Sequence, residues 1–156
     1  MKNLSLRGKR LSLDMFGVWL KKKVQHRYEQ KILAPVAGEF AGIEEPHSVR
    51  EVLSLSEPYL PAVGALGEMV LSVGKAAWMH GKGADGIIDI SPFTCMNGIV
   101  TEAVYPKVSR DHDGIPIRTF YFDGTQTDLE NDLAIFMELA GNYSRRKKIP
   151  RRRRAA

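Results

Sequence analysis

The chain has 156 residues, of which 44% are apolar and 26% are charged. This is enough for one domain with a hydrophobic core and too little for two domains of ordinary size. No stretch approaches the roughly 18 uninterrupted apolar residues of a membrane span, and the N-terminal sequence lacks the apolar region of a secretory signal. We therefore expect a soluble, cytoplasmic protein with no membrane contact.

The formal net charge of +5 is unevenly distributed along the chain. Residues 1–30 carry eight Lys or Arg and two Asp or Glu. Residues 31–144 carry seven basic and sixteen acidic residues, and residues 145–156 carry eight basic residues and no acidic residue. The body is acidic and both ends are basic. One cysteine, Cys95, excludes an internal disulfide framework and a metal site built from four thiolates of one chain.

Four apolar side chains near the start recur at the spacing of one helix face: Leu13, Phe16, Leu20 and Val24. They predict a basic amphipathic helix within residues 1–30, from about Ser12 to about Gln30. Such a helix can dock on a partner or lie on a membrane surface. More often, a stripe of this kind packs against its own domain, and we favour that outcome.

Residues 31–144 have the pattern of an α/β domain. The segment 33–46 predicts a connection with possible short strand content. Ser48 and Glu51 have the spacing of a capping box, which opens a short helix to about Glu57. A regular apolar stripe predicts a longer helix from Leu66 to Gly81.

Two short strands follow, at Gly86–Ile90 and Ile115–Phe122. Between them we predict a short helix near residues 99–104 that Pro106 disturbs. We expect the strands to be parallel and covered on both faces, with Ile87, Ile88 and Ile90 buried beside Ile117, Thr119 and Tyr121 or beside the alternate residues of the second strand.

A last helix begins at the capping box Thr127–Glu130 and ends near Gly141–Asn142. The order of elements predicts a small layered α/β domain whose short parallel sheet is covered by helices. Two strands are few for such a sheet. Either the 31–46 region adds a strand or the domain is part of a larger assembly.

The last segment, residues 145–156, is predicted to be a disordered basic tail, because eight like charges repel and few apolar side chains accompany them. Runs of this kind bind nucleic acid or acidic partners by releasing condensed counterions. No aromatic residue is interleaved to stack on bases. We therefore favour a solvated end, and nucleic acid is not an expected partner.

In open parallel sheets, ligands bind beyond the carboxyl ends of the strands. Two segments meet this description, Ser91–Gly98 and Asp123–Asp128. Cys95 lies in the first, directly before a predicted helix start, where the helix dipole favours a thiolate that binds metal or attacks. The alternative is that Cys95 is a buried small hydrophobe, as free cysteines often are.

Other candidate groups have simpler interpretations. Glu68 is predicted in the first turn of a helix, where a carboxylate stabilises the dipole, and Asp123 with Gly124 has the composition of a turn. His80 and His112 are distant from Cys95 in sequence, so a Cys–His nucleophile is not indicated. The chain has no P-loop and no dinucleotide-binding glycine motif after a strand.

The run GEMVLSVGKAAWMHGKGADGIIDISPFTCMNGIVTEAV resembles a segment of the 2-hydroxyacyl-CoA dehydratase D-component family and of the large acyl-CoA dehydratase activase-related proteins. There, a GEAILS-GKA helix leads through a GADGI turn into a strand and a PFxCMPG motif. The later run RDHDGIPIRTFYFDGTQTDLENDLAIFMELA resembles the family's closing segment. Together the matches span about residues 58–143. This chain has Asn97 where the family tends to have proline.

The resemblance implies a subunit or C-terminal fragment of an iron–sulfur system of the 2-hydroxyglutaryl-CoA dehydratase or benzoyl-CoA reductase type, acting on an acyl-CoA substrate. Cys95 would be one metal ligand of a [4Fe–4S] cluster, with the other ligands on a partner chain or missing segment. We expect no activity from the isolated chain. The ATPase part of the CoA enzyme activase has no counterpart here. Candidate pocket residues are Ser91, Phe93, Thr94, Met96, Asn97, Gly98, Glu68, Asp123 and Gly124.

A hypothesis from another class is an α/β interaction module without catalytic function. It would dock on an acidic partner or nucleic acid through its basic termini. Iron content after anaerobic purification with candidate partners distinguishes the two hypotheses.

Overall fold

The computed structural model describes residues 13–40, 45–65, 67–125 and 129–150. The chain divides into two compact units, Met1–Ala41 and Gly42–Ala156. The first contains helix α1, Leu13–Leu33, followed by a 3₁₀ helix, Ala34–Phe40. The 3₁₀ helix contacts α1, so the predicted boundary after residue 30 moves to residue 41. The apolar side chains of the predicted stripe are exposed in α1. That this stripe packs against its own domain stays a prediction.

The second unit has the predicted α/β character. Its elements follow one another along the chain as α2 (Val49–Ser56), α3 (Met69–Gly81), β1 (Ile87–Pro92), α4 (Met96–Asp111), β2 (Ile117–Phe122) and α5 (Leu129–Arg146). None of the helices in the described part of the chain has the length and apolar composition of a membrane-spanning segment.

The strands β1 and β2 pair in parallel, with Ile87 opposite Ile117 and Ser91 opposite Tyr121. This confirms the predicted topology. The predicted burial of β1 is wrong for two of its side chains, because Ile88 is 42% exposed and Ile90 is 69% exposed. Both lie on the sheet face where α5 packs against Phe120 of β2, which leaves the β1 side of that face uncovered.

The main core lies on the opposite face of the sheet, where the helix packing that the sequence predicts is present. Helices α3 and α4 and the end of α5 enclose it together with the first residue of β1. Its buried members are Val73, Ala76, Ile87, Tyr105, Val108, Ile115 and Tyr143.

Helix α4 is much longer than predicted, because it continues through Pro106 to Asp111. A proline inside a helix removes one backbone hydrogen bond and strains the preceding turn. The turns around it bury Tyr105 and Val108, and the Tyr105 hydroxyl donates to Asp89 of β1 at 2.8 Å. These contacts offset the cost of the proline, and the prediction of a helix interrupted there is wrong.

The final helix also extends beyond its predicted end at Gly141–Asn142 and reaches Arg146. Lys147 follows it with a side chain only 6% exposed, and its Nζ lies 2.6 Å from Oδ1 of Asp85 and donates to the carbonyl of Gly83. The predicted start of the disordered tail at residue 145 is therefore wrong. The segment 151–156 lies outside the described residues.

The ends of the other helices agree with parts of the prediction. Ser48 caps α2 by accepting from the amide of Glu51 at 3.4 Å. Helix α3 begins at Met69, and Leu66 lies outside the described residues, as do Thr127 and Asp128 of the capping box at Thr127–Glu130. Within 34–40 and 45–46 the predicted connection contains a 3₁₀ helix and no strand.

Candidate functional site

The connection between β1 and α4 places Cys95 at the carboxyl edge of the sheet. The amide of Phe93 donates to the carbonyl of Phe122 at 2.9 Å, which extends the ladder by one residue. The chain then turns at Thr94, whose φ of 66° is in the left-handed region that few non-glycine residues adopt. The amide of Cys95 donates back to Pro92 at 3.1 Å. This turn fixes Cys95 as the N-cap residue of α4.

The environment of the Cys95 thiol favours its ionised form. The side chain is partly exposed, and as a neutral thiol it makes no capping hydrogen bond. Hydrogen bonding to the thiolate from the amides of Gly98 and Asn97 and from the Ser91 hydroxyl lowers the pKa of Cys95, which burial and the charge of Glu68 only partly oppose. The geometry supports a partly exposed thiol at a helix N-terminus rather than a core residue.

Two glycines allow the surrounding backbone to approach this helix start. A Cβ on Gly98 would lie 2.2 Å from the Oγ of buried Ser91, so only glycine lets the first turn of α4 sit against β1. A Cβ on Gly67 would lie 2.4 Å from Oδ1 of Asn97. The loop before α3 therefore packs against the first turn of α4.

Glu68 follows Gly67 and is the N-cap residue of α3, not part of its first turn as the sequence predicts. Its carboxylate makes no capping hydrogen bond. It is close enough to Cys95 for its charge to oppose ionisation of the thiol. Glu68 therefore belongs to the surroundings of Cys95, as predicted, although its role is not to cap a helix.

The remaining candidates in this connection lie at its surface. Phe93 is 61% exposed and Met96 is 62% exposed, and Thr94 between them is also exposed. Together they form an open rim around the partly exposed thiol. The predicted group of Ser91, Asn97, Gly98 and Cys95 thus lies together, with apolar side chains at its border.

Asp123 and Gly124 follow β2 at the same edge of the sheet, as predicted. Asp123 accepts from the amide of Thr125 at 2.8 Å and from its hydroxyl at 2.6 Å, and these hydrogen bonds lower the pKa of the carboxyl group. Gly124 has a φ of 88°. Asp123 is therefore used in its own turn, which agrees with the simpler interpretation of this residue. Asp128 lies outside the described residues.

A polar group on the α4 face of the sheet was not anticipated from the sequence. Tyr121 donates to Glu102 at 2.8 Å, and burial, followed by this hydrogen bond and then the charge of Glu102, raises the pKa of Tyr121 to about 12. Asp89 accepts from Thr101 at 3.0 Å and from Tyr105 at 2.8 Å. The sequence did contain a signal for this polar group, because Asp89 and Ser91 are polar residues at alternate positions of β1 and therefore point to one face of the sheet.

A second unanticipated cluster brings together two histidines. The ring centroids of His80 and His112 lie 4.9 Å apart, and the Tyr59 hydroxyl lies 3.3 Å from Nε2 of His112. His80 is buried, and its Nε2 lies 3.6 Å from a carboxylate oxygen of Asp113. Burial, followed by the charge of His112, lowers the pKa of His80, although Asp113 acts in the opposite direction.

Stability should therefore fall as the pH decreases through about 6.5, the ordinary pKa of histidine. His80 binds its proton at a lower pH in the folded state than in the unfolded state. The folded state therefore has its full stability above about pH 6.5, where His80 is neutral in both states, and loses stability below that pH as the unfolded state takes up the proton first. Urea unfolding between pH 5 and pH 8 measures this slope. His80→Gln should flatten the curve, whereas His47→Gln at an exposed position should leave it unchanged. An unchanged slope in His80→Gln would assign the pH dependence to other groups.

The donor set for a metal is small. Among the described residues, no group of three or more His, Cys, Asp or Glu side chains is arranged to hold a metal ion. Cys95 is the one thiol of the sequence. Within the described residues, Cys95 is therefore not joined by the further side chains that a complete metal site requires.

Comparison of the chain with protein-family models, with curated proteins and with solved structures gives no match. The family resemblance of the segments around Cys95 therefore stays a hypothesis, and the chemistry of the site is argued from its geometry.

Proposed function

We propose that this chain is a subunit or fragment of an iron–sulfur system of the acyl-CoA dehydratase or reductase type, in which Cys95 provides one ligand of a [4Fe–4S] cluster. The cluster would be shared with a partner chain or with a further segment. When bound, such a cluster supplies low-potential one-electron chemistry to a thioester substrate. The proposal follows the resemblance of the sequence around Cys95.

The observation that carries the proposal is the position of Cys95. It caps a 16-residue helix directly after a parallel strand, it is partly exposed, and hydrogen bonding to the thiolate lowers its pKa. Metals bind the thiolate and not the thiol, so this environment prepares the sulfur for coordination.

The ligand count supports a shared centre. A ferredoxin-type [4Fe–4S] cluster takes four thiolates, although one iron can instead bind substrate or solvent. This sequence contains one cysteine, so at least two further thiolates would come from elsewhere. The exposed rim formed by Phe93 and Met96 provides a surface on which a partner could close the site.

Anaerobic reconstitution tests the proposal. The full chain is incubated with ferrous iron, sulfide and an excess of a small thiol that supplies the missing ligands, and iron content and visible absorption are measured. We expect a cluster that is held while the small thiol is present and is lost on desalting, because one protein ligand is too few to retain it. Cys95→Ser should bind no cluster, whereas Met79→Leu, at an exposed position of α3 outside the site, should behave as the wild type.

Equal iron and sulfide in the wild type and in Cys95→Ser would contradict the proposal, since the iron would then be bound without the thiolate. The absence of any chain-bound cluster in the wild type, at a small-thiol concentration that assembles clusters on a control ferredoxin, would contradict it as well. Thermal unfolding of both variants shows that loss of iron does not follow from loss of fold.

The alternative function is an interaction module that binds an acidic partner through α1. The observation that favours it is a run of exposed basic side chains on that helix, at Lys21, Lys22, Lys23 and Arg27. Binding of this kind weakens steeply with added salt. Salt-dependent binding that is unaffected by Cys95→Ser, together with no iron in the reconstituted wild type, would favour the module over the iron–sulfur subunit.

A further inference from the structure

The C-terminal ends of α3 and α4 meet at a pair of histidines. His80 lies in the last turn of α3, His112 is the C-cap residue of α4, and their ring centroids are 4.9 Å apart. His80 is 8% exposed, whereas His112 is only partly covered. Histidine is the side chain that ordinarily gains its charge closest to neutral pH, so this end of the two helices joins two groups that acid can charge.

The surroundings of the His80 ring do not accommodate a positive charge. Its Nε2 atom is buried and has no hydrogen-bond partner among the described residues. A carboxylate oxygen of Asp113 lies 3.6 Å from this atom, which is beyond hydrogen-bond distance. A buried charge without a hydrogen-bond partner is costly, and a second charged ring in contact with it would add repulsion. The arrangement therefore favours the neutral form of His80.

Titratable and charged groups surround the histidine pair on every element that packs there. They belong to the loops after α2 and α3, the end of α4, the turn after it and the end of α5: Tyr59, Asp85, Lys107, Asp111, His112, Asp113, Tyr143, Arg146, Lys147 and Lys148. Asp85 is engaged by Lys147 at 2.6 Å and Asp111 by Lys107 at 2.7 Å. The other oxygen of Asp113 lies 3.2 Å from Nζ of Lys148, whose side chain is 83% exposed, and surface pairs of this kind are weak. Asp113 is therefore the carboxylate best placed to bind a proton-bearing His80.

The turn that carries Asp113 is the part of this junction that can move. Asp113 and Gly114 are exposed, and both have φ angles in the left-handed region, 57° and 71°. The turn is held by hydrogen bonds from the amide of Gly114 to the carbonyl of Ser109 at 2.8 Å and from the amide of Ile115 to that of His112 at 3.1 Å. Segments with exposed backbone and few hydrogen bonds open locally at a lower free energy than the whole domain unfolds.

We propose that the turn from His112 to Ile115 is a proton-operated switch. When His80 takes up a proton from solvent, the turn moves, the ring of His112 separates from that of His80, and the carboxylate of Asp113 becomes the hydrogen-bond acceptor of His80. The closed arrangement is the form with neutral His80. Burial lowers the pKa of His80 in this closed form, so the switch operates on the acidic side of neutrality.

The switch is separate from the surroundings of Cys95. Cys95 and His112 cap the two opposite ends of α4, whose 16 residues span about 24 Å at the usual rise of a helix. The inference therefore does not rest on the proposed function. Cys95→Ser should switch in the same way as the wild type, so failure of one proposal leaves the other to be judged by its own experiment.

Amide hydrogen exchange of the full chain, resolved by residue with NMR and corrected for the intrinsic rate at each pH, tests the proposal. Between about pH 7.5 and pH 5 the amides of Gly114 and Ile115 should lose protection by about tenfold or more, while that of Ala76 in buried α3 stays protected. His80→Gln should keep both amides protected, and the exposed His47→Gln is the matched control that should behave as the wild type. Protection of Ile115 that persists in the wild type at the acidic end, or that is lost only together with Ala76, would overturn the proposal.

Asp113→Asn distinguishes a switch from simple weakening of the junction by a buried charge. Asparagine tolerates the left-handed φ of this position and removes the negative charge. If Asp113 binds protonated His80 in the moved state, this variant should keep Ile115 protected at a pH where the wild type has lost protection. If the proton only weakens the closed junction, the variant should lose protection at a higher pH than the wild type, because Asp113 raises the pKa of His80 in the closed state. That second result, or no difference from the wild type, would contradict the switch.

Discussion

Val73→Asp is expected to unfold the α/β unit. Val73 is 0% exposed and lies in α3 at the centre of the main core, where it packs with Ile87 and Val108. An unpaired carboxylate at this position costs at least several kcal/mol by desolvation, and a domain of this size has only about 5–15 kcal/mol of stability. Circular dichroism and urea unfolding should show loss of the cooperative transition at neutral pH.

The matched control is Leu71→Asp, two residues earlier in the same helix. Leu71 is 36% exposed and lies in the first turn of α3, where a negative charge interacts favourably with the helix dipole. This variant should retain a cooperative transition. A cooperatively folded Val73→Asp, or equal effects of the two substitutions, would show that the packing of α3 is assigned to the wrong face.

Gly74→Ala is expected to have the second largest effect, although alanine is normally preferred in helices. A Cβ at this position would lie 2.1 Å from the carbonyl oxygen of Val52 in α2, and a real contact this short does not occur. Helices α2 and α3 would have to separate. Overpacking costs about 1–3 kcal/mol or more, which exceeds the gain of up to about 1 kcal/mol that alanine normally provides.

Gly81→Ala at the end of the same helix is the control for this effect. No atom lies within 4 Å of a Cβ built there, so only the helix preference should act, and stability should rise slightly. The free energies of unfolding of the two variants should therefore change in opposite directions. The same sign for both would mean that α2 does not approach α3 as closely as the structure has it.

The parts of the fold that sequence reasoning located are those determined by local pattern. The strand runs, the end of α3 at Gly81 and the Ser48 cap all have a signal within a few residues, and each lies near its predicted place. The burial of Ile88 and Ile90 was mispredicted because it depends on whether a helix covers β1, which no local pattern determines. The continuation of α4 through Pro106 depends likewise on contacts to β1 that are distant in sequence.

The same distinction applies to the candidate site. The location of Cys95 before a helix follows from a strand, a proline and a helix start in sequence, and the structure places it there. The pair of Tyr121 with Glu102 and the contact of His80 with His112 join segments separated by 19 and 32 positions, by the difference of their residue numbers. Only the packing of α4 against the sheet and against α3 brings these groups together.

The measurement that tests the role of Cys95 most directly is the pH dependence of its alkylation rate. Iodoacetamide reacts with the thiolate, so the midpoint of the rate profile gives the pKa of the thiol. The native chain should react without unfolding, and its midpoint should lie below that of the same chain in denaturing urea, because the amides of Gly98 and Asn97 stabilise the thiolate. Reaction only after denaturation, or a midpoint above that of the unfolded chain, would contradict the proposal that Cys95 is a partly exposed, activated thiol able to act as a ligand.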